Sequence, residues 1–112
     1  MSVKIDYSRD SLLSDFSKKT LQDRYLVGDE KSPQEAFARA ATAFADDADH
    51  AQRIYDYASN LWFMFATPVL SNGGTNRGLP ISCFLNYVED SREGITDHYT
   101  ENAFLSSFGG GI

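Results

Sequence analysis

Ser32-Pro33-Gln34-Glu35 is the feature that most narrows what this chain can fold into. A serine ahead of a proline at the first helical position, with a glutamate three residues after the serine, satisfies the free amides of a helix start from both sides. Ala36, Phe37, Ala40, Ala41 and Phe44 then recur at helical spacing, and so much alanine in one stripe predicts helices packed at close range. The first half of the chain is therefore expected to be helical.

The neighbouring segments extend that pattern. Leu12, Leu13, Phe16, Thr20 and Leu21 follow the capping residues Asp10 and Ser11, which predicts a helix from Leu12 to about Arg24 that Gly28 and Asp29 break. After Asp46-Asp47-Ala48-Asp49, the positions of Ile54, Tyr57, Ala58, Leu61, Trp62 and Phe65 predict a third helix over about residues 50–65. The acidic residues before it suit the positive end of its dipole. Pro68 disfavours helical geometry at Thr67, so an extended Thr67 is expected, followed by a turn at Ser71-Asn72-Gly73-Gly74. Ile81 to Val88 is apolar and β-favouring apart from Ser82 and Asn86, and predicts a strand buried on both faces. Asp90-Ser91-Arg92-Glu93 caps a last helix through about Ser107, with Gly94 counting against it.

Composition removes several kinds of function. The chain has 112 residues, 42% apolar and 23% charged, enough for at most one globular domain. Ten basic residues stand against sixteen acidic ones, for a formal charge of -6, and no Lys/Arg stripe is available to neutralise a nucleic-acid backbone. The longest apolar run, Leu61 to Ala66, falls far short of the roughly 20 residues that span a bilayer. A cytoplasmic location, with no membrane and no nucleic acid as partner, is the expectation. His50 and His98 stand apart from any cluster of ligands, so no metal site is expected, and Asp46 to Asp49 reads as a solvated cap.

Cys83 is the only cysteine, so no disulfide can form within the chain. Neither Lys nor Arg lies within five residues of it, and on composition alone it reads as an inert thiol on an apolar strand. Gly109-Gly110-Gly111-Ile112 fits neither the dinucleotide fingerprint nor the P-loop pattern. The chain stops as a glycine-rich element begins, which suggests the N-terminal piece of something longer.

Several short motifs, taken in order, carry more weight. Phe65-Ala66-Thr67-Pro68-Val69-Leu70-Ser71-Asn72-Gly73-Gly74, then Gly78-Leu79-Pro80-Ile81-Ser82-Cys83-Phe84-Leu85, then Asp90-Ser91 and the terminal glycines, together resemble the large, catalytic subunit of ribonucleotide reductase. Thr20-Leu21-Gln22-Asp23-Arg24-Tyr25-Leu26 is similar to the family's segment before its catalytic barrel. The resemblance implies an α/β protein: a helical domain over residues 1–65, then, over residues 66–112, the first strand and helix of a ten-stranded α/β barrel, incomplete in this chain. It also implies reduction of ribonucleoside diphosphates to deoxyribonucleoside diphosphates by thiol-dependent radical chemistry.

By the same resemblance, Cys83 is one half of a redox-active pair whose other cysteine lies outside this chain. A thiol pair delivers two electrons only where both sulfurs come within disulfide geometry, which suits a rigid strand. Thr67, Ser82, Cys83 and Gly111 match substrate-binding positions. Asp90, Ser91 and Arg92 begin the site for a nucleoside triphosphate effector, although as residues Asp90 and Ser91 read equally well as a helix cap. No cofactor is expected on this chain itself. The implied partners are the remaining C-terminal part of the large subunit, a second large subunit in a dimer, and a small subunit whose di-metal centre supplies the radical. A dithiol reductant such as thioredoxin or glutaredoxin completes the set. An adenosylcobalamin-dependent relative is the alternative within the family, and a non-catalytic helical interaction module the alternative outside it. Too few residues precede Thr20 for the family's ATP-sensing regulatory domain.

Overall fold

The computed structural model describes residues 2–112, which form two compact units, one running to Pro80 and the other Ile81–Ile112. The first unit holds a 3₁₀ helix (Tyr7–Leu12) and four α-helices: α1 (Asp15–Arg24), α2 (Pro33–Phe44), α3 (Ala48–Ser59) and α4 (Thr67–Asn72). The second holds α5 (Arg92–Ser107).

Helix α2 begins where its sequence requires. The Ser32 hydroxyl accepts from the Gln34 amide at 3.1 Å, and the Glu35 carboxylate accepts from the Lys31 and Ser32 amides at 2.6 and 2.9 Å. These bonds hold the Glu35 carboxyl below the usual carboxylate range. Ala36, Phe37, Ala40 and Ala41 are fully buried and meet the buried face of α3, formed by Ala51, Tyr55 and Ala58. The alanines let the two backbones approach, leaving Phe37 and Tyr55 to fill the centre, where each large side chain contributes roughly 1.5–3 kcal/mol. Phe44, expected in the same stripe, is half exposed.

A polar chain crosses this core. The Tyr55 hydroxyl donates to Gln34 Oε1 at 2.8 Å and accepts from the Asp6 amide at 2.9 Å. Gln34 Nε2 and the Ser32 hydroxyl both donate to the Asp10 carboxylate, at 2.9 and 2.6 Å. Fully buried Gln34 is thereby satisfied at both ends, and the 3₁₀ segment is fastened to α2 and α3. This use of Asp10 corrects the expected Leu12–Arg24 helix. With its carboxylate taken by Ser32 and Gln34, Asp10 caps nothing, and Ser14 starts α1 by accepting from the Ser17 amide at 3.1 Å.

The third helix ends at Ser59, six residues short of expectation. Leu61 adopts φ 62°, its amide donates to Ala58 O at 3.0 Å, and the Trp62 amide donates to Tyr57 O at 2.9 Å. That is a Schellman termination, completed by Trp62 stacking on Tyr57 with ring centres 5.2 Å apart. Thr67 is helical, not extended: it is the first residue of α4, and the non-helical cap is Ala66 (φ -58°, ψ 146°). Pro68 then sits in the first turn of α4, where an amide has no helical partner to lose. Ser71 and Asn72, expected in a turn, close this helix.

The largest correction concerns Ile81 to Val88. Among the described residues there is no strand, only a single parallel bridge between Cys83 and Gly111. Ile81, Cys83, Leu85, Tyr87 and Val88 are all exposed, so the segment is not buried on both faces. A strand needs neighbours on its edges, and only Gly111 supplies any here. The expected α/β character is thus absent from the described residues, which are helical. Helix α5 does start at the expected place, with the Ser91 hydroxyl accepting from the Gly94 amide at 2.9 Å. Gly94 is tolerated there for a specific reason: a Cβ would lie 2.6 Å from Glu89 Cβ and 2.8 Å from Glu89 O. Among the described residues no helix is long and apolar enough to cross a membrane.

Candidate functional site

The structure brings three of the expected site residues together. The Gly111 amide donates to Ser82 O, and the Phe84 amide donates to Gly111 O at 2.8 Å, so the glycine-rich end runs alongside Cys83. A Cβ at Gly111 would stand 3.2 Å from Ser82 O, and one at Gly110 would meet the Phe84 ring at 2.7 Å, so the approach depends on glycine. The Cys83 thiol is exposed, with its Sγ 3.6 Å from the Ser82 hydroxyl. Among the described residues Cys83 is therefore not buried as the strand reading expected.

The segment that carries Cys83 is also tied to α5. Asn86 Nδ2 donates to Asn102 Oδ1 at 2.8 Å, and Asn102 Nδ2 lies 3.0 Å from His98 Nε2. The Nδ1 of His50 accepts from the Asp46 amide at 3.1 Å near the start of α3.

Thr67 belongs to the first unit. Its hydroxyl lies 3.2 Å from that of Tyr25, beside a groove of about 590 Å³ that Leu12, Phe16, Met64 and Phe65 also line. A side chain that sequence reasoning missed ties Tyr25 to the end of the helix that Thr67 opens. Arg39 donates through Nη1 to Leu70 O and Gly73 O at 2.9 and 2.6 Å, and through Nη2 to Tyr25 O at 3.1 Å. Its Nε donates to Glu30 Oε1 at 2.7 Å, while Glu30 Oε2 accepts from the Val27 amide at 2.9 Å. The signal was an arginine within the alanine-rich helix, where a charge is tolerated only if it has partners.

Asp90 and Arg92 are exposed at the start of α5, and the Ser91 hydroxyl is engaged as its cap. The cap reading of Ser91 is therefore realised, and the carboxylate of Asp90 is open to solvent.

Comparison with known proteins gives a consistent result. Residues 11–78 match the family model described as ribonucleotide reductase, all-alpha domain. The chain is 45% identical over 110 residues to the ribonucleoside-diphosphate reductase large subunit of Invertebrate iridescent virus 6, an alignment covering 98% of this chain and 12% of that protein. It is 47% identical over 111 residues to the protein of the same name from Invertebrate iridescent virus 3, covering 98% and 18% respectively. With the ribonucleoside-diphosphate reductase subunit alpha of Helicobacter pylori (strain ATCC 700392 / 26695) it shares 35% identity over 121 residues, covering 100% and 15%. The chain thus spans less than a fifth of the length of these relatives.

Proposed function

We propose, for a chain that belongs to the ribonucleotide reductase family through its all-alpha domain, that it forms part of the large catalytic subunit of a ribonucleoside-diphosphate reductase and supplies one thiol of the redox pair. The observation that carries this reading is the pairing of Cys83 with Gly111, which sets Ser82, Cys83 and Gly111 side by side. The overall reaction converts a ribonucleoside diphosphate and two thiols into a deoxyribonucleoside diphosphate, a disulfide and water. The 2'-hydroxyl leaves with a proton as water, and the two sulfurs provide both electrons.

In this reading Cys83 forms the disulfide with a cysteine outside these residues, and a dithiol reductant restores it. Ser82 and Thr67 donate short hydroxyl hydrogen bonds to the substrate, and Gly111 offers a backbone that no side chain obstructs. Asp90, Ser91 and Arg92 begin the site of the triphosphate effector, and residues 66–112 contribute the first strand and helix of the barrel. Ile81 to Val88 would gain from the rest of that barrel both its remaining edge partners and cover for the exposed faces that carry Leu85 and Tyr87. The names "large subunit" and "subunit alpha" among the relatives favour a two-component enzyme, in which the radical comes from a separate small subunit.

Replacing Cys83 by Ser in the complete, reconstituted reductase tests this. Serine keeps the shape but cannot form a disulfide, so substrate binding persists while multiple-turnover formation of deoxynucleotide with an external dithiol is lost. Near-normal turnover would refute the assignment.

A further inference from the structure

We infer that Tyr25 is a positioning residue for substrate binding, acting through the hydroxyl of Thr67; this rests on the reading of Thr67 as a substrate-binding residue. The two hydroxyl oxygens are 3.2 Å apart, a separation at which either can donate to the other. A hydroxyl has one proton. A phosphate oxygen of a nucleoside diphosphate only accepts, so a Thr67 that donates its proton to that oxygen can keep its bond to Tyr25 only as the acceptor. Tyr25 is then the donor. The resulting chain runs from the phenol O–H to Thr67 Oγ1 and from the Thr67 O–H to the substrate, and each bond polarises the next.

One guanidinium joins the backbone of Tyr25 to the end of the helix that Thr67 opens. Arg39 takes Tyr25 by its carbonyl and takes the last turn of α4 by the carbonyls of Leu70 and Gly73. The Glu30 carboxylate fixes the guanidinium in turn through Nε. The end of α1 and the helix that starts at Thr67 are therefore tied to the same rigid planar group, which fixes the two backbones that carry the hydroxyls relative to each other. The Thr67 backbone is braced as well, because the Ser71 hydroxyl donates to Thr67 O at 2.8 Å. Tyr25 was not singled out by its sequence, since a tyrosine at the end of a helix is ordinary. Its function follows from what its hydroxyl meets.

The experiment compares Tyr25→Phe, Thr67→Val and the double variant in the complete reductase, with KM for a ribonucleoside diphosphate and kcat measured separately. Tyr25→Phe keeps the ring and removes one hydroxyl. It should raise KM about three- to ten-fold, the worth of one hydrogen bond, while kcat stays within about two-fold. Thr67→Val should raise KM at least as much, and adding Tyr25→Phe to it should change nothing further, because the phenol acts only through Thr67. If Thr67→Val raises KM and Tyr25→Phe does not, or if the two effects simply multiply, the positioning role is overturned and Thr67 keeps its own. If neither changes KM, the substrate role of Thr67 falls, and the role of Tyr25 with it.

Discussion

Replacing Arg39 by Met should cost the helical unit about 3 kcal/mol, near the lower end of what breaking a buried ion pair costs. The Arg39 and Glu30 side chains are 14% and 15% exposed, so most of the pair is out of water, though not all of it. The substitution leaves the Glu30 carboxylate with only the Val27 amide, and removes the donor that Leu70 O, Gly73 O and Tyr25 O share. Each stranded carbonyl near the surface can recruit water, whereas the carboxylate cannot be fully rehydrated without opening α2 from the end of α1. In a unit of this size a loss of about 3 kcal/mol lowers Tm by roughly 12 to 24 °C. Urea unfolding followed by circular dichroism would show a lower midpoint at an unchanged slope. Hydrogen exchange would show the amides of α4 losing protection first, since α4 hangs on that guanidinium. Converting Glu30 to Met as well should recover part of the loss, because no unpaired carboxylate then remains. The reasoning fails if Arg39→Met costs under about 1 kcal/mol, or if the double variant is simply the sum of the two singles.

Other expectations follow from single contacts. Because its cap bonds lower the Glu35 pKa below 4.5, the stabilisation they bring is complete above that value and lost as pH falls through the folded-state pKa. Glu35→Gln, which keeps an acceptor but not the charge, should therefore flatten the fall of Tm in titrations from pH 7 to pH 3. Gly94→Ala, ordinarily favourable in a helix by about 1 kcal/mol, should instead be destabilising by about 1–3 kcal/mol, because the added methyl meets Glu89; a gain in helicity on circular dichroism would contradict this. Tyr55→Phe strands the buried Gln34 carbonyl oxygen and should cost about 1–3 kcal/mol, read from urea unfolding. In hydrogen exchange on the chain alone, α2 and α3 should be protected, while residues 85–90, whose amides take no part in the Gly111 pairing, exchange freely. Slow exchange there would mean that the segment has found edge partners the structure does not show.

What the sequence determined by itself was local. The start of α2 was legible because Ser32, Pro33 and Glu35 satisfy one another's backbone within a single turn, and the start of α5 because Ser91 caps it from three residues away. The alanine stripe announced close packing correctly, because burial of α2 depends on side-chain size at helical spacing. The order of Ala66-Thr67-Pro68, Ser82-Cys83, Asp90-Ser91 and the terminal glycines carried the family resemblance without any structure.

Tertiary structure decided where local preferences competed with distant partners. Asp10 looked like a cap until Ser32 and Gln34, more than twenty residues away, took its carboxylate. The end of α3 was hidden because the residue in the left-handed conformation is Leu61, not glycine, and stacking of Trp62 on Tyr57 accompanies the turn. Arg39 gave no sign of its partners, since the carbonyls of Tyr25, Leu70 and Gly73 converge on it only once α1 and α4 have been placed beside α2. The strand expected from Ile81 to Val88 shows the limit most plainly: β-favouring side chains set its conformation, but a strand exists only where a neighbour takes its hydrogen bonds, and within these residues Gly111 alone does so.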